Sequence, residues 1–193
     1  MIIGITGGTG CGKTTLLQCV KEMGGTVLDC DAIYHQLLAS DPSLLAAIEN
    51  RFPGVVENGV LQRKKLGNIV FADEQALQDL NRITHAAVKA EVLRRLPPVP
   101  SLVAIDAIGL FEGGLAELCA TTVAVTAPVE ARVRRLIARD SVTEEYARKR
   151  ISAQRSAEEF SAMCQYTLEN SGDICEFRAK CLAFLAEISI IEA

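Results

Sequence analysis

Short apolar runs alternate with longer segments of helical periodicity along the chain. The runs at 2–6, 26–29, 102–106 and 122–126 predict buried strands, because each is a short, mostly aliphatic run bounded by turn or helix signals. A fifth strand is predicted at 166–168. Strands that alternate with helices predict an α/β fold, in which a five-stranded parallel sheet is covered by helices on both faces.

Helical periodicity predicts the remaining elements. They are a first helix at 14–23, a mainly helical stretch at 32–96 with separate helices at 63–71 and 73–96, and later helices at 130–137 and 140–160. A turn is predicted at 52–54, and the proline cluster at 97–100 predicts a connector. The last helix carries one apolar stripe, formed by Ile174, Phe177, Cys181, Phe184, Leu185 and Ile188.

Composition narrows the class of protein. The chain has 193 residues, 49% hydrophobic and 23% charged, which fits one domain with a sizeable core and disfavours disorder. A net charge of −4 argues against a general nucleic-acid binder. The seven cysteines are odd in number and form no C-x-x-C pair, so a disulfide scaffold or a zinc site is not expected. The sequence has no signal-peptide pattern and no apolar run that would span a bilayer, so we expect a cytoplasmic protein without a membrane partner.

The segment from Gly7 to Thr14 matches G-x-x-x-x-G-K-[ST] between a predicted strand and a predicted helix. Glycines let backbone N–H groups approach phosphate oxygens, and the helix N-terminus adds the positive end of its dipole. Lys13 is expected to reach the β- and γ-phosphates, and the Thr14 hydroxyl to bind Mg²⁺. The expected nucleotide-binding residues are Gly10, Cys11, Gly12, Lys13, Thr14 and Thr15. Cys11 is either an oxidisable thiol or, as we favour, a small residue that the loop tolerates.

Aspartates follow two of the predicted strands. Asp106 ends the third strand, where phosphate-loop enzymes place a ligand of the magnesium shell; the alternative is a turn or helix-cap aspartate. Asp29 and Asp31 follow the second strand, at the sheet edge where ligands gather. Asp31 is a candidate base for an acceptor hydroxyl, whereas either aspartate could instead cap the next helix.

A basic stretch and a missing motif bear on the choice between a kinase and a nucleotide switch. Residues 132–155 hold eight basic and three acidic side chains, a net +5 that leaves −9 for the remainder. Such arginines either cover phosphates in a closing lid or form a solvated helix surface. The guanine motif N-K-x-D is absent, although the residues from Asp106 to Gly109 fit D-x-x-G. A small-molecule kinase is therefore favoured, with a nucleotide switch as the alternative.

The chain resembles the dephospho-coenzyme A kinase family over essentially its whole length. The resemblance rests on the order and spacing of several motifs, which are Ile5–Thr14, Asp29–Asp31 with His35, Arg63–Leu66 with Val70–Phe71, Leu80–His85, Asp106 with Leu110–Glu112, and Arg132, Arg135, Arg139–Asp140, Arg150–Ile151 and Gln154. The family implies a three-layer phosphate-loop kinase with a helical acceptor-binding insertion and a helical lid. The implied core covers 1–31, 101–131 and 160–193, the insertion 32–100 and the lid 132–159.

The resemblance also implies an activity and residue roles. The expected reaction is transfer of the ATP γ-phosphoryl group, with Mg²⁺, to the ribose 3′-hydroxyl of dephospho-CoA, by a monomer or weak homo-oligomer; another acceptor for the same core stays open. Lys13, Asp31 and Arg139 are implied as catalytic residues, and Asp31, Arg63 and His85 as substrate-binding residues. A role for His35 stays open, and either histidine could be an ordinary helix residue. The chain departs from the family pattern at Ile108, Gly109, Phe160 and Gln165.

Overall fold

The computed structural model describes residues 1–99 and 101–191, and it divides into two compact units. The core unit takes the described residues of 1–28, 97–110 and 115–193, and the helical unit takes 29–96 and 111–114. Pro100, the last residue of the predicted connector, lies outside the described residues. The finer division into core, acceptor-binding insertion and lid stays a prediction.

A five-stranded parallel sheet, as predicted, forms the centre of the core unit. Its strands are β1 (Ile2–Thr6), β2 (Thr26–Asp29), β5 (Val103–Asp106), β6 (Thr121–Thr126) and β7 (Tyr166–Glu169), in the order β2-β5-β1-β6-β7. The central strand β1 pairs in parallel with both neighbours, so that Ile3 lies between Ala104 and Thr121. β1, β5 and β6 are almost wholly buried, which explains why they read as continuous apolar runs.

Helices cover both faces of this sheet. On one face α1 (Lys13–Glu22) and α9 (Ile174–Ile191) share a core with the strands, which includes Ile5, Val125, Leu16 and Phe177. On the other face α8 (Ala157–Met163) lies beside Thr167 and Glu169 of the edge strand. These two side chains alternate with Tyr166 and Leu168, which face the α1–α9 side. The three-layer prediction is therefore confirmed.

The predicted single helix at 140–160 is wrong. The structure has α6 (Val129–Asp140), then α7 (Glu144–Ser152), and α8 begins only after Ser156. Ser156 Oγ accepts from the N–H of Glu159 at 3.1 Å, and Glu159 Oε2 accepts from the N–H of Ser156 at 2.7 Å. This S-x-x-E capping box was a readable start signal. In the last helix Ile174 is 68% exposed, so the apolar stripe begins at Phe177 and not at Ile174.

The helical unit packs around its own apolar core. It contains α2 (Cys30–Ser40), α3 (Pro42–Arg51), β3 (Val56–Glu57), β4 (Val60–Leu61), α4 (Arg63–Val70) and α5 (Glu74–Arg95). The core includes Leu38, Ile48, Phe52 and Leu66. The hairpin of β3 and β4 was not predicted, although its turn residues Asn58 and Gly59, at φ 51° and 75°, are the pair that a two-residue hairpin turn favours.

Within residues 1–99 and 101–191, no helix is both long and apolar enough to cross a membrane.

Candidate active site

The loop between β1 and α1 has the geometry of an anion site. Gly12 precedes α1 with φ 100°, and the helix begins at Lys13, so the N–H groups of Lys13 and Thr14 have no acceptor within the helix, whereas that of Thr15 donates to the carbonyl of Gly12 at 3.0 Å. Lys13 Nζ donates to the carbonyl of Gly7 at 2.8 Å, which keeps the ammonium group over the loop. Thr14 is exposed in the first turn. Free N–H groups, a helix dipole and an ammonium group together favour a phosphate chain.

Two glycines are required by the path of this loop. At Gly7, with φ 135°, an added Cβ would lie 2.2 Å from the carbonyl oxygen of Val125. At Gly12, with φ 100°, an added Cβ would lie 2.2 Å from Asn170 Nδ2. Both residues combine a left-handed conformation with close neighbours, so no L side chain fits at either position. Cys11 is 3% exposed, which agrees with the favoured interpretation of a tolerated small residue.

Arginines from the basic stretch contact the loop from the outside. The sequence places Arg132 in the predicted lid, as a phosphate-covering or a solvated arginine, but it is 4% exposed and its Nε donates to the carbonyl of Thr9 at 2.9 Å. Arg135 Nη1 donates to the carbonyl of Gly10 at 3.1 Å. Gln154 accepts from the N–H of Thr9 at 2.8 Å. These side chains are therefore hydrogen-bonded parts of the loop's surroundings.

Arg139 and Arg150 share one carboxylate at the end of α6. Arg139 donates to both oxygens of Asp140 at 2.7 and 3.0 Å, and Arg150 Nη1 donates to Asp140 Oδ2 at 2.9 Å. The hydrogen bonds from Arg139, and then Arg150, hold the pKa of Asp140 below its usual range. The Arg139 side chain remains 60% exposed, so its guanidinium fork is within reach of a phosphate that competes with Asp140.

Asp106 is the last residue of β5 and aligns with Ile5 of β1, whose carbonyl accepts from the N–H of Ala107 at 3.1 Å. The chain then makes turns up to the short 3₁₀ helix at Ala116–Leu118, so Asp106 does not cap an α-helix. Thr6 Oγ1 donates to the carbonyl of Ile108 at 3.1 Å. This bond joins the central strand to the stretch after β5 in which the chain departs from the family pattern. Within the described residues, no group of three His, Cys, Asp or Glu side chains could hold a metal by itself. Mg²⁺ bound by Thr14, Asp106, water and phosphates would need no such group.

Asp29 and Asp31, at the start of α2 in the helical unit, have different surroundings. Asp29 Oδ1 accepts from the N–H of Ala32 at 2.9 Å and caps α2, whereas Asp31 is exposed in the first turn of that helix. His35 lies one turn after Asp31 on the same helix, and its Nδ1 is 3.4 Å from Arg63 Nη2. Tyr34 is half-buried beside it; burial raises the pKa of its hydroxyl, and the charge of Arg63 opposes this shift.

The helical unit therefore places Arg63 beside His35, whose role the sequence left open. His85, the histidine expected to bind substrate, is half-buried on α5, and within the described residues it has no hydrogen bond to Asp31 or Arg63. The late departures from the family pattern, Phe160 and Gln165, take part in the packing and hydrogen bonding of the core unit. Phe160 is 3% exposed, and Gln165 Oε1 accepts from the N–H of Thr122 at 2.9 Å.

Comparisons with known proteins agree with this geometry. The family model described as CoaE, dephospho-CoA kinase, matches residues 1–176. The dephospho-CoA kinase of Syntrophotalea carbinolica is 32% identical over 97% of this chain and 92% of its own length, and that of Deinococcus radiodurans is 35% identical over 97% and 92%. The crystal structure of TT1252 from Thermus thermophilus is 34% identical, covers 97% of each chain and has a TM-score of 0.80.

More distant structures share the fold. The dephospho-CoA kinase from Campylobacter jejuni, at 24% identity and a TM-score of 0.67, covers 100% of this chain and 98% of its own. A shikimate kinase from Acinetobacter baumannii, at 18% identity and a TM-score of 0.56, covers 97% and 92%. The fold is therefore that of phosphate-loop kinases, and the resemblance read from the motifs is confirmed. The chain belongs to the dephospho-CoA kinase family, the kinases of the final step of coenzyme A biosynthesis.

Proposed function

We propose that this chain transfers the γ-phosphoryl group of ATP, in the presence of Mg²⁺, to the ribose 3′-hydroxyl of dephospho-CoA. The observation that carries the proposal is the glycine loop before α1, with Lys13 held over it, in a chain of this family. The acceptor oxygen forms a bond to the γ-phosphorus, the bond to the β,γ-bridging oxygen breaks, and the products are coenzyme A and ADP. We further propose a cytoplasmic protein, monomeric or weakly associated, that acts on this small molecule and not on nucleic acid.

The residue roles follow from chemistry. The Asp31 carboxylate accepts the proton of the 3′-hydroxyl, while Lys13 and Arg139 stabilise the charge on the phosphoryl oxygens. The residues from Gly10 to Thr15 bind the phosphate chain, to which the loop and the start of α1 offer backbone N–H groups. Arg63, as a cation, and His85 bind the acceptor. Thr14 and Asp106 hold Mg²⁺, which neutralises phosphate charge when bound.

The activity is tested by coupling ADP release to a spectroscopic signal. ATP and Mg²⁺ are supplied with dephospho-CoA or with a panel of other hydroxyl acceptors. We expect ADP release to depend on dephospho-CoA and to stop with EDTA. Preference for another acceptor would assign a different kinase, and acceptor-independent hydrolysis would indicate a nucleotide switch.

Thr14→Val should weaken the response to magnesium. The change removes the exposed hydroxyl and keeps the side-chain shape, and loss of one polar contact to a charged group corresponds to about a tenfold rise in the Mg²⁺ concentration for half-maximal rate. Titration of Mg²⁺ at saturating ATP measures this, and Thr14→Ser should restore most of the response. An unchanged Mg²⁺ dependence in Thr14→Val would remove Thr14 from the metal site.

Arg139→Lys should lower kcat/KM about tenfold, because lysine keeps the charge but loses the two-pronged hydrogen bond to phosphoryl oxygens. The matched control is Arg94→Lys, since Arg94 is an exposed arginine whose fork binds Glu91 on its own helix. Steady-state kinetics of both variants measures the effect. Unchanged kcat/KM in Arg139→Lys would make Arg139 a surface residue only.

A further inference from the structure

Four side chains form a layer behind the phosphate loop, which we call the loop brace: Arg132, Arg135, Gln154 and Asn170. Arg132 binds the carbonyl of Thr9, and its Nη2 donates to Gln154 Oε1 at 3.0 Å. Arg135 binds the carbonyls of Gly10 and Cys11 at 3.1 and 3.3 Å. Asn170 Nδ2 also donates to the carbonyl of Cys11, at 2.8 Å, and its Oδ1 accepts from Arg135 Nη2 at 3.0 Å.

These bonds determine which way the loop's N–H groups face. In a trans peptide the C=O and the following N–H point in opposite directions. When Arg132 holds the carbonyl of Thr9 outward, the N–H of Gly10 is turned to the opposite side. The bonds to the carbonyl of Cys11 do the same for the N–H of Gly12. The loop brace therefore presents two N–H groups on the side away from the arginines.

The brace also places positive charge behind the loop. Within the described part of the chain, both guanidiniums donate to neutral oxygens; Arg132 is 4% exposed and Arg135 is half-buried. A buried cation without an opposite charge is costly. A phosphate chain on the loop would supply that charge, so the cost favours binding of a polyanion.

Because Gly8 has no side chain, Arg132 and Gln154 can lie directly against the loop. An added Cβ at Gly8 would lie 2.3 Å from Arg132 Nη2 and 3.0 Å from Gln154 Oε1. The guanidinium of Arg132 thus lies against the backbone of the loop itself. Asn170 is 5% exposed, and its N–H donates to the carbonyl of Thr126 at 2.8 Å, which fastens the brace to the end of β6.

We propose that Arg132 and Arg135 are positioning residues, which hold the phosphate loop in its binding conformation from behind and do not contact the nucleotide. The proposal deepens the function proposed above, since ATP is the ligand of that loop. It also bounds the lid predicted over 132–159. Arg135 on α6 and Gln154 after α7 are both fastened to the loop, so any closing segment lies between them.

The test compares a charged and an uncharged member of the brace, Arg135→Gln and Asn170→Ala. Mg²⁺-ADP binding is measured by calorimetry without dephospho-CoA, and amide exchange of Gly10 and Gly12 is measured in the ligand-free protein. We expect each variant to weaken ADP binding at least tenfold and to speed exchange at Gly12, whose N–H follows the Cys11 carbonyl that both side chains hold. Exchange at Gly10 should change less, because Arg132 still holds the Thr9 carbonyl. The double variant should lose less than the product of the two single effects, because both side chains share the Cys11 carbonyl.

The control is Arg94→Gln, and thermal unfolding confirms that each variant is folded. If Arg135→Gln does not fold, Arg135→Lys takes its place with the same two readouts, for which we expect a smaller loss. The proposal is overturned if Arg135→Gln alone weakens ADP binding while exchange of the ligand-free loop is unchanged, which is the result for an arginine that touches nucleotide. Unchanged ADP binding in both variants also overturns it. Neither measurement uses dephospho-CoA, so a wrong assignment of the acceptor would leave both results unchanged and would be detected only in the activity assay.

Discussion

Replacing Asp31 with asparagine is expected to lower kcat by about 10²- to 10⁴-fold and to leave ATP affinity unchanged. The amide has the same shape as the carboxylate but cannot accept the acceptor's proton at neutral pH. Asp31 is exposed in the first turn of α2, so the substitution removes no buried contact. Steady-state kinetics gives kcat, and calorimetry with ATP gives the affinity.

The neighbouring aspartate supplies the control for this experiment. Asp29→Asn should keep near-normal kcat and stability, because asparagine caps a helix about as well as aspartate and Asp29 acts through its bond to Ala32. If Asp31→Asn retains near-normal kcat, the base must be another group. Loss of kcat in Asp29→Asn alone would exchange the roles of the two residues.

Lys13→Ala is expected to lower kcat by about 10²- to 10³-fold, in the range of losing one preorganised charge at the phosphoryl oxygens. Within residues 1–99 and 101–191 the Lys13 ammonium bonds to the Gly7 carbonyl alone, so folding should survive the change. Lys21→Ala, at the other end of α1 and exposed, is the matched control and should retain wild-type kcat. A loss of less than threefold in Lys13→Ala would contradict its role, measured by single-turnover kinetics at saturating ATP.

Buried strands and the phosphate loop could be predicted because their signals are local. The strand at 2–6 has the predicted bounds, since a buried parallel strand is mostly apolar and this one ends where the glycines of the loop begin. The phosphate loop could be read because glycine alone fits at Gly7 and Gly12. The helix break before Ser156 and the hairpin at Asn58 also had local signals, which charge and helical periodicity in the surrounding segments concealed.

Contacts between distant residues could not be predicted in the same way. Nothing in the sequence around Arg132 distinguishes a buried arginine from the exposed ones nearby, because its partners are 123 and 22 residues away. Ile174 fits the apolar stripe by spacing, but it is the first residue of α9 and remains exposed. The cap formed by Asp29 was one of two alternatives that the sequence left open, and the backbone conformation decides between them.

The central claim is tested most directly by identifying the product of a reaction with ATP, Mg²⁺ and dephospho-CoA. Mass spectrometry and phosphorus NMR should show one new phosphomonoester on the ribose 3′-oxygen, formed together with one ADP for each coenzyme A, and neither product should accumulate with Asp31→Asn. A phosphoryl group at another position, or ADP formed without a phosphorylated acceptor, would contradict the account.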